Sequence, residues 1–320
     1  MSDRLSDERP TLETIRAAAR RLHDRINPTP VLGSRSIDQQ VGARVLFKCE
    51  NFQRVGAFKA RGAINAVFSL DEKSASRGVA THSSGNHGAA LALAAAERGI
   101  PAWVVVPDNA ARVKREAITR YGGKVVDCRA GMAEREAGLA QVVAETGANV
   151  VHPYNDFRVI AGQGTTALEL LEAHPEIDML LAPVGGGGLL SGCGLVARAL
   201  PGSVQVIGCE PAGADDAMRS LVSGKRVIMD APETIADGLR ASLGERNFAL
   251  IRETVDAIVT VDDAQIVDAM RVIWERMKLI IEPSAAVPFA AILSNAVDVR
   301  DHTVGVILSG GNVDLDQLPW

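Results

Sequence analysis

The sequence predicts an α/β fold of two lobes, built from parallel sheets covered by helices. Three observations predict it. Short runs rich in Val, Ile and Leu alternate with longer helical stretches along almost the whole chain, the pattern of strands buried on both faces and joined by crossover helices. At 320 residues the chain can hold one large domain or two lobes sharing an interface. No internal period of the length used by repeat proteins recurs, and no low-complexity tract marks a linker.

In chain order, apolar periodicity predicts a helix over 11–26, a strand over 44–48 and a helix over 60–70. Strands over 78–82, 102–106 and 124–127 follow, with helices over 88–98 and 132–145. A helix over 161–173 leads into strands over 179–184 and 204–209. A strand over 257–261, helices over 264–278 and 284–293, and a strand over 304–308 complete the chain. The spacing assigns 75–152 to a small α/β domain, and 1–74 with 153–320 to a large one. Ligands of such folds bind outside the carboxyl ends of parallel strands, so the interlobe cleft is the expected active site.

Hydrophobic residues make up 47% of the chain, charged residues 23%, and the net charge is -5. No basic stripe interleaved with aromatics appears, which excludes an electrostatic case for nucleic acid. The N-terminal segment lacks the apolar core of a signal peptide, and no apolar run approaches membrane-spanning length. Cys49, Cys128, Cys193 and Cys209 lie far apart, without CxxC or zinc-finger spacing. A soluble cytoplasmic protein with free thiols, bound neither to membrane nor to nucleic acid, is expected.

Four segments carry candidate chemistry. Lys59 stands in Ala57-Phe58-Lys59-Ala60-Arg61-Gly62, between a strand and a helix. Burial near a helix N-terminus disfavours its ammonium form and frees a nucleophilic amine that condenses with aldehydes. Gly185, Gly186, Gly187 and Gly188 follow a strand and open a helix. Consecutive glycines let backbone N–H groups converge on an anion, and phosphate is the natural ligand. Gly192-Cys193-Gly194-Leu195-Val196-Ala197, with Glu210 ending the next strand, also fits a dinucleotide fingerprint, although the GxG falls beyond the turn where it belongs. Thr81-His82-Ser83-Ser84-Gly85-Asn86-His87-Gly88 gathers more polar groups at a strand end than a helix cap requires. Ser309 tops the last strand, ahead of Gly310-Gly311-Asn312.

Together these segments resemble the fold-type II pyridoxal-phosphate enzymes (tryptophan synthase β-like), and within them the serine racemase and serine/threonine dehydratase family. The resemblance runs in order from Pro28-Thr29-Pro30 and Phe47-Lys48-Cys49-Glu50 through the lysine segment and the Ser83 loop. It continues through Ala161-Gly162-Gln163-Gly164-Thr165, the tetraglycine, Glu210-Pro211, Ala236-Asp237-Gly238, Ile281-Glu282-Pro283 and Ser309-Gly310-Gly311-Asn312. It implies pyridoxal 5'-phosphate as cofactor. Lys59 would carry it as a Schiff base and act as a base at the substrate Cα, and Phe58 would pack beside its ring. Asn86 would bond its ring hydroxyl, Gly185, Gly186, Gly187 and Gly188 would cradle its phosphate, and Ser309 would face its pyridine nitrogen.

The resemblance assigns the small amino-acid substrate to Ser83, Ser84, Gly85, Asn86 and His87, with Arg135 or Arg240 near a side-chain carboxylate. Racemisation needs a proton donor on the face opposite Lys59, and Ser84 matches that donor. Glu210, Asp216 and the Ala214 carbonyl match a site for a divalent cation, Mg²⁺ or Ca²⁺, whose hard oxygen ligands suit either ion. A homodimer is implied as well. The expected activity is β-elimination of L-serine and L-threonine to 2-oxo acid and ammonia, with interconversion of L- and D-serine. A threo-3-hydroxyaspartate ammonia-lyase is the alternative on the same fold; a nucleotide-dependent oxidoreductase or a non-catalytic small-molecule binder would be a different class. Ala241 and Ala89 depart from the pattern of mammalian-type racemases, so their substrate preference and nucleotide activation are not carried over. The chain stops at Trp320, and isoleucine feedback is not expected.

Overall fold

Two separate sheets, parallel but for one edge strand, carry the fold. The computed structural model describes residues 8–83, 85–110 and 112–320. In chain order the elements are α1 (Leu12–Leu22), β1 (Val31–Gly33), α2 (Arg35–Val41), β2 (Arg44–Cys49), α3 (Lys59–Phe68), α4 (Glu72–Ala75), β3 (Val79–His82), α5 (Asn86–Arg98), β4 (Ala102–Pro107) and α6 (Arg112–Arg120). There follow β5 (Lys124–Cys128), α7 (Met132–Thr146), β6 (Asn149–Val150), α8 (Phe157–Ala173), β7 (Met179–Pro183), α9 (Gly188–Ala199), β8 (Gln205–Pro211), α10 (Asp216–Ser223), α11 (Glu245–Thr254), β9 (Ala257–Val261), α12 (Asp263–Met277), α13 (Pro283–Leu293) and β10 (Thr303–Leu308).

The larger sheet runs β1-β2-β10-β7-β8-β9, parallel except for the antiparallel edge pair β1–β2. The smaller runs β5-β4-β3-β6 and is parallel throughout. Strand alternation divides the larger core. Val45, Phe47, Met179, Leu181, Val304 and Val306 point to one layer, where Phe47 meets Phe289 edge to face at 5.4 Å. Leu46, Leu180, Ala182 and Ile307 point to the other. Both faces are covered, which is why these strands read as continuous apolar runs. In the smaller sheet, Val79 and Ala102 share a core with Leu91 of α5 and with Ile64 and Val67 of α3.

Helix α8 lies against both α3 and α9. A Cβ on Gly162 would stand 2.6 Å from the Arg61 carbonyl oxygen and from the Gly62 Cα, and one on Gly192 would stand 2.6 Å from the Gly164 nitrogen. Only glycine permits backbones this close. Arg61, fully buried, reinforces the contact. Its guanidinium donates to both Glu50 oxygens at 2.7 and 2.8 Å and to both Glu169 oxygens at 2.6 and 2.8 Å. Lys48 adds a bond to Glu169 at 2.8 Å. Charge inside this cluster balances, and paired forks meet the condition for burying ions.

The structure extends the sequence-based elements. Helix α8 begins at Phe157, four residues earlier than periodicity predicts, because Asp156 caps it by accepting from the Arg158 backbone N–H at 2.8 Å. Helices α2, α4, α6, α10 and α11 and strands β1 and β6 were not anticipated. Each strand is too short to show alternation, and α6 (RVKREAITR) carries too few apolar residues for a helical stripe. The dinucleotide-like GxG lies inside α9, where Gly192 meets α8 and Gly194 meets Thr254. Those glycines serve helix packing, which removes the structural context a dinucleotide turn requires.

Candidate active site

Three adjacent strands of the larger sheet, β2, β10 and β7, end level with one another: Leu308 lies opposite Cys49, and Val306 opposite both Phe47 and Leu181. Their carboxyl ends deliver the lysine segment, Ser309 and the tetraglycine to one place. The carboxyl end of β3, central in the smaller sheet, delivers the Ser83 loop from across the gap. Between them is a cavity of about 660 Å³ lined by Phe58, Lys59, Ser83, Gly85, Asn86 and His87. Arg135, Gly185, Gly186, Gly187, Gly188, Arg240 and Ser309 line it as well. Ser84 lies outside the described residues. Glu210, Ala214 and Asp216 are not part of this lining.

Lys59 is the first residue of α3, and its Nζ donates to the Pro153 carbonyl at 3.0 Å. Burial lowers its pKa to about 8, against an opposing pull from Glu282. The nearby imidazoles add no charge at neutral pH. His152 is pushed down to about 4, chiefly by burial and then by His82, and burial also lowers His82 and His87. His152 and Tyr154 stack edge to face at 4.6 Å, with His82 next in line at 5.4 Å from His152. His87 is buried; its Nε2 lies 3.2 Å from the Val151 carbonyl, which makes Nε2 the donor, while Nδ1 has no partner among the described residues.

Asn86 begins α5 and donates to both carboxylate oxygens of Glu282 at 3.2 Å. The Asn312 backbone N–H donates to the same carboxylate at 3.2 Å, and the Asn312 side chain donates to the Asn86 oxygen at 2.9 Å. Phe58 donates its N–H to the Ser309 carbonyl at 3.0 Å, joining the lysine segment to the end of β10. Just upstream, Val55 adopts φ 54° and ψ 14°. Left-handed backbone is costly for a β-branched residue, and strain of this kind concentrates at functional sites. Arg240 lines the cavity, but its Nε donates to the Thr234 carbonyl at 3.0 Å. Arg135 lines it with Nε buried and unpartnered among the described residues.

The tetraglycine is walled on one side. A Cβ would stand 2.8 Å from the Leu239 Cα at Gly185, 2.3 Å from the Tyr154 ring at Gly186 and 2.6 Å from Leu243 at Gly187, whose φ is 92°. No N–H of these four glycines donates to a protein acceptor among the described residues. Unpaired N–H groups beside a helix N-terminus form a cradle for an anion. A buried amine whose pKa is lowered toward neutrality, across the same cavity, suits an aldehyde. The residues present therefore fit a phosphorylated aldehyde.

Beyond the cavity, Glu210 and Asp216 are buried carboxylates. Glu210 accepts from the Ala217 and Met218 N–H groups at 3.0 Å each, and Asp216 from the Leu243 N–H at 2.7 Å. Burial pushes them up to about 8 and about 6 respectively. Among the described residues no cluster of three or more His, Cys, Asp or Glu side chains offers a metal site, so a cation here would rest on two carboxylates and the Ala214 carbonyl. Tyr154, Asn247 and Glu282 escaped sequence reasoning as site residues. Nothing local marks the first two, whereas Glu282 stands in a Glu-Pro pair that could have singled it out.

Among the described residues, no helix is long and apolar enough to cross a membrane. The sequence is 49% identical over 311 residues to a beta-hydroxyaspartate dehydratase from Paracoccus denitrificans, covering 97% of this chain and 99% of that protein. It is 50% identical over 305 residues to a serine racemase from Arabidopsis thaliana, covering 92% of each. The structure of maize serine racemase superimposes with a TM-score of 0.94 at 46% identity, covering 97% of this chain and 95% of that one. Residues 22–310 match the family model described as pyridoxal-phosphate dependent enzyme. With an aldehyde-ready lysine facing an anion cradle, the chain belongs to the pyridoxal-phosphate dependent enzymes.

Proposed function

We propose that this enzyme acts on β-hydroxy amino acids, converting L-serine and L-threonine to 2-oxo acid and ammonia and interconverting L- and D-serine. The observation that carries the reading is the depressed amine of Lys59 in the same cavity as the unpaired N–H groups of the tetraglycine. Gly185, Gly186, Gly187 and Gly188 would hold the phosphate of pyridoxal 5'-phosphate, with Phe58 beside the ring, Asn86 at its hydroxyl and Ser309 at its nitrogen. When bound, the cofactor supplies an aldehyde that condenses with amines and a ring that accepts the electron pair left by a departing α-proton.

The protein's own groups then divide the work. Lys59, uncharged once relieved of its proton, takes the α-proton from the L-substrate. Ser83, Gly85, Asn86 and His87 border the place where the substrate carboxylate would bind, next to the N-terminus of α5. Ser84 is assigned the proton donor on the opposite face, and returning a proton from there inverts Cα. Loss of the β-hydroxyl as water, followed by uptake of water at the α-carbon, releases 2-oxo acid and ammonia. A serine at the pyridine nitrogen does not hold that nitrogen protonated as a carboxylate would, which favours elimination and racemisation over transamination. We assign residues 75–152 to the small domain, and 1–74 with 153–320 to the large one. We also place a Mg²⁺ or Ca²⁺ ion at Glu210, Asp216 and the Ala214 carbonyl, a homodimer as the working form and the cytoplasm as its compartment.

A second reading, a threo-3-hydroxyaspartate ammonia-lyase, is favoured by one observation. In the cavity wall Arg135 offers an Nε without a partner among the described residues, and a guanidinium suits a second carboxylate. Purified protein incubated with L-serine, pyridoxal phosphate and Mg²⁺, with pyruvate and D-serine assayed together, tests the main reading. Both products support it in full. Pyruvate alone removes the racemase half. Neither product, with ammonia released from 3-hydroxyaspartate, supports the second reading instead.

A further inference from the structure

Asn247, on α11, is fully buried and touches three segments at once. Its side-chain nitrogen donates to the Gly186 carbonyl at 2.8 Å and to the Tyr154 carbonyl at 3.0 Å. Its oxygen accepts from the Ser191 hydroxyl at 3.0 Å, on the helix that the tetraglycine opens. Every capacity of the amide that these bonds use is matched by type: two N–H donors face two carbonyls, and the carbonyl faces a hydroxyl. The Gly244 N–H adds a second donor to the Gly186 carbonyl at 3.1 Å.

These bonds have a directional consequence. The Gly186 carbonyl and the Gly187 N–H belong to one peptide unit, and no peptide in the described chain is cis. In a planar trans peptide the two point in opposite directions. Pulling the carbonyl into the protein with two donors therefore turns the Gly187 N–H the other way, toward the cavity that these glycines line. The bond to Tyr154 joins the same amide to the residue after Pro153, whose carbonyl accepts from Lys59. One buried amide thus connects the anion cradle to the segment that holds the reactive lysine.

We infer that Asn247 is a positioning residue that aims the backbone N–H groups of the tetraglycine at the cofactor phosphate. The inference rests on the tetraglycine being the phosphate cradle. It predicts a defect specific to the phosphate group, which a general loss of packing would not produce. The test titrates the full-length, cofactor-free chain with pyridoxal phosphate and, separately, with pyridoxal, which has the aldehyde but no phosphate, following each by fluorescence. The variants are Asn247→Leu, close in size but unable to bond, and Ser191→Ala, which removes only the hydroxyl that orients the amide.

Asn247→Leu is expected to weaken pyridoxal phosphate at least about tenfold, the effect of a carbonyl left unmatched, while pyridoxal changes by less than about twofold. Ser191→Ala should weaken pyridoxal phosphate about threefold and leave pyridoxal unchanged, a weaker bond lost from the same strut. Should Asn247→Leu fail to fold, the Ser191→Ala pair of titrations decides. Equal weakening of both ligands, or no change in either, overturns the role given to Asn247. Wild-type protein that binds the two ligands equally well would instead overturn the cradle reading beneath it, so the two failures are told apart within one data set.

Discussion

The charge state of Lys59 offers the sharpest test. Burial lowers its pKa from 10.5 to about 8, with Glu282 pulling the other way. At pH 7 an amine of pKa 8 is neutral about one time in ten, whereas an ordinary lysine is neutral on the order of one time in three thousand. The pocket thus raises the reactive fraction by roughly two to three orders of magnitude before any cofactor arrives. Competitive acylation of the cofactor-free chain across pH 6 to 11, read peptide by peptide in the mass spectrometer, gives the midpoint for each lysine. Lys59 should reach half-maximal labelling near pH 8, and Glu282→Gln should move that midpoint lower, because the carboxylate charge that favours the ammonium form is gone. Stability carries the same signature. Between about pH 8 and 10.5 the unfolded chain keeps the lysine proton that the folded chain has lost, so stability rises with pH across that window, by roughly 3 kcal/mol at most. Lys59→Met should abolish that rise in urea titrations at pH 8 and pH 10. A Lys59 midpoint at or above 10, or a midpoint that rises in Glu282→Gln, refutes the electrostatic account of the site.

Four further outcomes follow from the geometry. Gly186→Ala puts a Cβ 2.3 Å from the Tyr154 ring and should weaken pyridoxal phosphate binding by more than about tenfold; Tyr154→Ala in the same chain should restore part of it, as a double-mutant cycle would detect. Arg61→Ala strands the buried Glu50 carboxylate and should cost about 3–5 kcal/mol in urea unfolding. Arg135→Ala should lower kcat/KM for 3-hydroxyaspartate at least about tenfold more than for L-serine, since only the former has a second carboxylate to lose its partner. Millimolar Mg²⁺ or Ca²⁺ should raise the melting temperature of the wild-type protein, with the rise absent in Glu210→Ala, because a ligand that binds only the folded state stabilises it by an amount that grows with ligand concentration relative to Kd.

Much of the site was legible in the sequence because its chemistry is local. Lys59 and the four glycines each sit where a strand turns into a helix, and that position alone argues for a reactive amine and an anion cradle. Strands β2, β7, β8 and β10 were legible for a related reason: burial on both faces leaves unbroken apolar runs, which periodicity finds easily. What periodicity could not find was short, polar or dependent on partners. Strand β1 has three residues, and α6 has few apolar residues to mark a helical stripe. The GxG within α9 matches a dinucleotide fingerprint in the wrong place, and its use in helix packing is seen only where Gly164 meets Gly192.

Tertiary structure alone decided how the pieces act together. The level ends of β2, β10 and β7 bring Lys59, Ser309 and the tetraglycine into one cavity from positions far apart in the chain. Glu282 comes to hold Asn86 across 196 positions, and Asn247 comes to hold Gly186 across 61. No local pattern encodes such partners, because a hydrogen bond depends on where two groups lie in space, and sequence distance says little about that. Pattern and spacing in the chain determined which groups could do chemistry; the folded packing determined their protonation, their direction and their company.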